Sequence, residues 1–460
     1  MESSDTIAAI STPLGVGGIG IIRISGSESK KIGRRIFQPA KKGFKDFKPY
    51  VLHHGWIKNK KGELIDEVLI SFMPGPGSYT GEDVVEINCH GGPAVVQLVL
   101  EVVLEEGARL AKPGEFTLRA FLNGRIDLSR AEAISEMVSA HSSLFVKLSS
   151  SKLSGRLKEK IEELKNKLKE IKADLCFFTD FPEESEEFEE ENERINILQK
   201  VEEIEKEINS IIENFSLYKV FREGATVVLV GPVNAGKSSL FNEIVGKKRA
   251  IVTEIPGTTR DYIEEMITLD GVTVKIIDTA GIRKTEDRIE LEGVKQGKEL
   301  IKDADVILVV LDINDEVSEE ILGLLKSIPK DKSLIVLNKI DLKPNPKIFK
   351  LIKELGFEFV KISVKEKRGI EDLLQKLKDK ILKDVPEPKE GEIVPNLRQT
   401  QILKKALKEI REFKEKSDKM PIDVISIHLD KASEILSEIT GEIYTEDILD
   451  TVFSKFCIGK

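Results

Sequence analysis

The sequence predicts a multidomain chain: an α+β N-terminal domain, an α-helical domain, and an α/β domain inserted into the helical one. Three observations predict it. Residues 1–120 alternate short β-rich runs with glycine turns. Between Gly155 and Gly224 there is no glycine and one proline, Pro182, as long helices require. From Thr226 onward, runs of valine, isoleucine and leucine alternate with helical segments in a βαβ pattern. For 460 residues, about three domains is the expected number.

In the first part, IIRIS (21–25), VLHHGWI (51–57), EVLISFM (67–73) and DVVEINC (83–89) read as strands, with PGPGS and HGG as turns between them. Gly92 to Ala108 reads as a helix. The domain is placed at 1–120. In the second part, LKEKIEELKNKLKEIKADL (157–175) and ILQKVEEIEKEINSIIENF (197–215) repeat apolar residues at helical spacing, with an acidic break at Phe181–Glu191. Their charge runs read as solvated helix faces. The helical domain's first part is placed at 121–217. VVLVG, VKIIDTAG, DVILVVLD, LIVLNKID and FVKISV read as buried strands of a sheet covered on both faces, within 218–384. After a Pro-rich linker at 386–395, residues 397–458 read as helical again. The helical domain's second part therefore spans 385–460, split by the insertion.

Composition excludes several classes. Net charge is −9, which argues against a generally basic nucleic-acid-coating protein. The three cysteines, Cys89, Cys176 and Cys457, are far apart and suggest no disulfide framework. No metal-ligand spacing of cysteine and histidine appears. There is no signal peptide and no apolar run long enough to span a membrane, so the chain reads as cytoplasmic.

Gly231, Gly236, Lys237 and Ser238 form GxxxxGKS, after a strand and opening a helix, which is the context of a phosphate loop. Backbone N–H groups and the helix N-terminus hold phosphate, Lys237 reaches the β and γ phosphates, and Ser238 ligates Mg²⁺. Ala235 and Ser239 join the same contact set. Asp278 in DTAG holds the Mg²⁺ shell, and Gly281 offers its N–H to the γ-phosphate. Thr258 or Thr259 in PGTTRD is the switch threonine, with Thr259 assigned to Mg²⁺ and Thr258 to the catalytic set beside Lys237. Asn338, Lys339 and Asp341 of NKID read the base. A carboxylate there accepts from guanine N1 and its amino group, selecting GTP over ATP. Ser363 and Val364 occupy the last base loop.

Two residues depart from the common pattern. Ile282 stands where many GTPases carry a water-orienting glutamine, and it has no polar group to offer. Asn234, within the phosphate loop, has two readings: it supplies a carbonyl oxygen to a monovalent cation that offsets developing charge, or it only caps the loop.

The order of TIAAISTPLGVGGIGIIRISG (6–26), SYTGEDVVEINCHGG (78–92), PGEFTLRAFLNGRIDLSRAEA (113–133), GPVNAGKSSLFN (231–242) and FCIGK (456–460) resembles the tRNA-modifying GTPase family MnmE (TrmE) over essentially the whole chain. That resemblance implies a folate-binding-like N-terminal domain that dimerises and holds 5-formyl- or 5,10-methylene-tetrahydrofolate, with Arg23, Glu82 and Arg119 in the pocket. Arg119 reads equally well as a structural salt-bridge partner. The resemblance also implies K⁺ held by Asn234 and the loop TEIPGTT, with Thr253, Ile255 and Thr258. Glu290, otherwise one solvated charge among many, becomes the catalytic carboxylate that positions water. Cys457 becomes a thiol of the tRNA-modification chemistry, against the bland reading of a packing residue. Cys89 and Cys176 read as core.

The same resemblance implies a homodimer working with the FAD-dependent MnmG (GidA) protein, in a heterotetramer or larger assembly, on the wobble uridine of tRNA. FAD belongs to the partner, and this chain has no GxGxxG fingerprint of its own. The competing class is a regulatory or assembly GTPase with the same GxxNxGKS and PGTTRD motifs.

Overall fold

Residues 5–140, 142–180, 187–248, 263–278, 300–417 and 422–460 are described in the computed structural model, without the side chains of 178–180, 187–193, 263 and 422–423. The chain divides into two units. One comprises Met1–Val138, Ser150–Asn209 and Arg398–Lys460, and the other Ser139–Ser149 and Ser210–Leu397.

Period-two alternation builds the sheet of the first unit. Its strands are β1 (Ile7–Ile10), β2 (Ile19–Ser25), β3 (Phe37–Pro39), β4 (His53–Lys58), β5 (Leu64–Met73), β6 (Val84–His90) and β7 (Arg109–Leu110). They lie in the order β3-β4-β5-β6-β2-β1-β7, antiparallel except for the β1–β7 pair. Ile22 and Ile24 of β2, Val68, Ile70 and Phe72 of β5, and Val85, Ile87 and Cys89 of β6 point to one face. There they meet Ile32 and Ile36 of helix Ser29–Ile36 and Val96, Val99 and Val103 of helix Pro93–Glu105. Each such side chain stabilises the fold by roughly 1.5–3 kcal/mol. The opposite face carries Arg23 and Glu86, which are register partners.

Long helices complete this unit. Helix Arg156–Asp180 buries Leu157, Ile161, Leu164, Leu168, Ile171 and Leu175, an alternating four-and-three spacing that keeps one stripe inward. Cys176 lies one residue beyond that stripe and is exposed, which corrects its reading as a core residue; Cys89 is buried as expected. Helix Glu187–Leu217 begins inside the stretch read as an acidic break, because a run of glutamates forms helix readily. Charged residues on these helices pair across helices: Lys167 with Glu207 at 2.7 Å, Arg411 with Glu205 at 2.7 Å and Lys414 with Glu202 at 2.6 Å. The Arg398 guanidinium forks onto the buried Glu132 carboxylate at 2.6 and 2.9 Å, joining helix Leu397–Lys416 to helix Leu128–Val138.

In the second unit, β8 (Ala225–Val230), β9 (Ile263–Leu269), β10 (Val272–Asp278), β11 (Val306–Asp312), β12 (Ser333–Asn338) and β13 (Phe359–Lys361) lie in the order β13-β12-β11-β8-β10-β9. All neighbours are parallel except the β10–β9 pair. Alternate residues of each strand serve different cores. Val227, Leu229, Leu308, Val310, Leu334 and Val336 pack on one side. Val228, Val230, Ile307, Val309, Leu311, Ile335 and Leu337 pack on the other. This two-sided burial is what near-continuous aliphatic strands demand. Phe145 and Leu148 join the first of these cores with Tyr218 and Phe221. Among the described residues, no helix is long and apolar enough to cross a membrane.

Candidate functional site

Three strands of the second unit end at one edge of the sheet and deliver the loops that carry polar chemistry. β8 runs into residues 231–236, which open helix Lys237–Lys248. Gly236 has φ 97°, and a Cβ there would fall 2.3 Å from Asn338 Nδ2, so the loop passes too close to its neighbour for any side chain. Lys237 is buried, and its Nζ donates to the carbonyls of Gly231 at 3.0 Å and Pro232 at 2.8 Å. The ammonium therefore lies inside the loop. Ser238 Oγ donates to Asp278 Oδ2 at 2.8 Å, bringing the first turn of the helix to the end of β10. Asp278 is 1% exposed. Ala235 is buried and Ser239 exposed.

Asn234 has a left-handed backbone, φ 65°, and is exposed. Asparagine tolerates that conformation better than most residues. Its side chain has no hydrogen-bond partner among the described residues.

Asn338 closes β12 and is 2% exposed. Its Nδ2 donates to the Ala235 carbonyl at 3.0 Å, and its Oδ1 accepts from the Val364 N–H at 3.2 Å. Asp341 accepts from Ser363 Oγ at 2.6 Å, and that hydrogen bond holds its carboxyl below the usual carboxylate range. Ser363 is fully buried, and its Oγ also accepts from the Glu366 N–H at 3.1 Å. Residues 231–238, 278, 338–341 and 363–364 thus meet at the carboxyl ends of the parallel strands. Crevices at such strand ends are where open α/β sheets take ligands.

Sequence reasoning missed Asp312. It closes β11, is 8% exposed, and pairs through Oδ2 with Lys339 Nζ at 2.7 Å. An acid ending the aliphatic run VILVVL was the available signal.

In the first unit, Arg119 Nη1 donates to both Glu82 oxygens at 3.2 Å, and Nη2 to Asp5 Oδ1 at 2.6 Å and Glu115 Oε1 at 3.1 Å. Ser25 Oγ donates to Glu82 Oε2 at 2.6 Å. Arg109 adds a two-pronged contact to Glu115 at 2.6 and 3.0 Å. Burial penalises the Arg119 charge, but the Glu82 carboxylate and the hydrogen bonds to Asp5 and Glu115 outweigh it and raise its pKa. Burial likewise pushes the Glu115 carboxyl up, and the two arginines with the Lys112 N–H pull it lower still.

Arg23 stands two residues before Ser25 on β2. It bonds Glu86 at 2.8 Å and the Gly459 carbonyl at 3.2 Å, with its guanidinium over the Tyr79 ring at 5.2 Å. The C-terminal segment is seated here as well. Ser11 Oγ donates to the Gly459 carbonyl at 3.1 Å, and Phe116 N–H to the Lys460 carbonyl at 3.2 Å. Phe456 is buried, whereas Cys457 is an exposed free thiol. Glu82 and Arg119 therefore share one network, and Arg23 belongs to an adjoining one. Sequence reasoning missed Asp5, Glu115 and Tyr79 in these networks. Thr253, Ile255, Thr258, Thr259, Gly281, Ile282 and Glu290 lie outside the described residues.

Two family models match the chain: the MnmE helical domain over residues 128–457, and the GTP-binding protein TrmE N-terminus over residues 6–125. Curated relatives match end to end. A tRNA modification GTPase MnmE of Lawsonia intracellularis is 43% identical, covering 99% of this chain and 100% of its own. That of Carboxydothermus hydrogenoformans is 44% identical, covering 99% of each. That of Acetivibrio thermocellus is 42% identical, covering 100% of each. With matches that run from the first strand to the terminal motif, the chain belongs to the MnmE/TrmE family, whose curated members are described as tRNA modification GTPases.

Proposed function

We propose that this chain is a GTP hydrolase of tRNA modification and that residues 218–384 form its P-loop GTPase domain. One observation carries the reading: the phosphate-loop serine, the strand-end aspartate and the base-loop asparagine meet at one sheet edge, with Ser238 2.8 Å from Asp278 and Asn338 bonded to Ala235. The helix N-terminus at Lys237 and the loop N–H groups would bind phosphate. Asp341, oriented by Ser363, would read guanine.

Ser238 and Asp278 fit a Mg²⁺ shell in donor chemistry, hydroxyl and carboxylate oxygen together, with Thr259 as the further ligand. Mg²⁺ would supply charge neutralisation at the phosphates. Asn234 fits a K⁺ ligand because its amide is exposed and unengaged by the described residues. Thr253, Ile255 and Thr258 would complete that set. Glu290 would position water in place of Ile282.

Residues 1–120 would bind 5-formyl- or 5,10-methylene-tetrahydrofolate and dimerise. Arg23, Glu82 and Arg119 are the assigned contacts. Arg119 is supported as a salt-bridge centre, since its guanidinium is engaged by three carboxylates. With a flavoprotein partner of the MnmG (GidA) kind, the homodimer would install an aminomethyl or carboxymethylaminomethyl group on C5 of the tRNA wobble uridine, in the cytoplasm. FAD would reside on the partner, and Cys457 would be exposed beside the folate domain. Nucleoside analysis of tRNA from a strain lacking the gene tests this reading. Loss of the modified wobble uridine is expected; an unchanged profile would leave a regulatory GTPase instead.

A further inference from the structure

We propose that Asp312 is a positioning residue for nucleotide binding, holding the Lys339 side chain in the orientation in which it flanks a bound purine base. The inference rests on the guanine-site reading and adds to it a residue that none of the nucleotide motifs contains.

The geometry starts at the backbone. Lys339 has φ 63°, a left-handed conformation that a residue with a Cβ adopts only when its surroundings impose it. Three hydrogen bonds impose it here. The Ile313 N–H donates to the Asn338 carbonyl at 2.9 Å, the Ile340 N–H to the Ile362 carbonyl at 3.2 Å, and the Leu342 N–H to the Lys339 carbonyl at 2.9 Å. With the backbone fixed, the freedom left to Lys339 is in its four-carbon stem, among the most entropy-rich of side chains. Asp312 removes that freedom, because its Oδ2 lies 2.7 Å from Lys339 Nζ.

The carboxylate is itself immobile. It closes a fully buried strand, pairs in register with Asn338 across β11 and β12, and its Oδ1 accepts from the Asn314 N–H at 2.9 Å. Its side chain is 12% exposed against 35% for that of the lysine. A rigid acid therefore orders a flexible base, and the ordered lysine sits one residue from the amide that joins the phosphate loop to the last base loop. Preordering of this kind lowers the cost of binding without contact between Asp312 and the ligand.

The competing role is structural: Asp312 could serve only the turn to Asn314. Asp312→Asn keeps that acceptor and the volume while removing the charge. The test titrates a fluorescent GDP analogue into the full chain as wild type, Asp312→Asn, Lys339→Met and the double variant, with GTP turnover and thermal unfolding measured on each. Asp312→Asn is expected to weaken GDP about threefold to tenfold, with kcat at saturating GTP within about twofold. The double variant should bind no more weakly than Lys339→Met alone. An equal loss from Asp312→Asn in both backgrounds, or no loss in either, overturns the proposal. Asp312→Ser, which also keeps a turn acceptor, replaces the asparagine variant if that one fails to fold. A wild-type chain that binds ADP as tightly as GDP would overturn the guanine reading, and the proposal with it.

Discussion

Asn338 donates to the Ala235 carbonyl at 3.0 Å and so ties the end of β12 to the loop at 231–236. Through its other atom it takes the Val364 N–H at 3.2 Å, so one buried amide holds three loops in register. Asn338→Ala removes a partner from the buried Ala235 carbonyl and from the half-buried Val364 N–H. The expected loss is about 2 kcal/mol in the unfolding free energy of the second unit, read by denaturant titration. GDP affinity should fall at least about tenfold. Unchanged stability would show that the amide is not a structural tie.

Ser238 Oγ lies 2.8 Å from Asp278 Oδ2. Two oxygens this close form a ready anchor for a hard cation. Ser238→Ala should weaken Mg²⁺-dependent GTP binding by roughly tenfold or more while leaving binding in chelator within about threefold. Isothermal titration with and without Mg²⁺ checks this.

Asn234 presents an exposed amide in the phosphate loop. GTP turnover in K⁺ is expected to exceed that in Na⁺. Asn234→Ala should abolish the difference and lower turnover in K⁺ on the order of tenfold to hundredfold, the scale of one lost transition-state contact. Equal rates of the native protein in both salts would remove the cation from the mechanism.

Glu115 titrates below its ordinary value because Arg109, Arg119 and the Lys112 N–H outweigh its burial. A depressed folded pKa adds stability that is present above the unfolded value, 4.5, and is lost as pH falls through the folded value. Glu115→Gln should therefore destabilise the first unit at neutral pH by about 1–2 kcal/mol, given that Arg109 is partly solvated. That penalty should shrink below pH 4.5, as thermal melts of both proteins across the acid range will show. A constant difference at every pH would mean shape rather than charge is at stake.

Gly459 has φ 93°, and a Cβ there would lie 2.2 Å from the Ile10 carbonyl oxygen. Gly459→Ala should unseat the C-terminal segment at a cost of about 1–3 kcal/mol. Carboxypeptidase B should then remove Lys460 from the variant much faster than from the native chain. Equal release would show that the segment is not held by this contact.

Strands β2, β4, β5, β6, β8 and β10 to β13 were legible as β-rich or aliphatic runs, whereas the short β1, β3 and β7, and β9, were not read. Short β-rich runs between glycine turns marked the N-terminal sheet, and continuous aliphatic runs marked the two-sided one. The GxxxxGKS and NKID motifs were legible because their residue types sit at fixed spacings from those strands. Cys176 was misread because a single residue's phase on a long helix needs the whole stripe to fix it. The start of helix Glu187–Leu217 was misread because a glutamate run suits helix and solvent equally.

The sequence by itself determined the family, most of the strands and the long helices, and the spacing of the GxxxxGKS and NKID motifs. These are properties of local spacing and side-chain type. Tertiary structure alone decided which groups meet across distance. It paired Lys339 with Asp312 rather than leaving it in solvent, surrounded Arg119 with three carboxylates, and laid Gly459 against β1 and β2. Apart from Arg119–Glu115, four residues apart on one helix, those contacts join residues tens to hundreds of positions apart. They follow from strand order and register, and no local pattern encodes either.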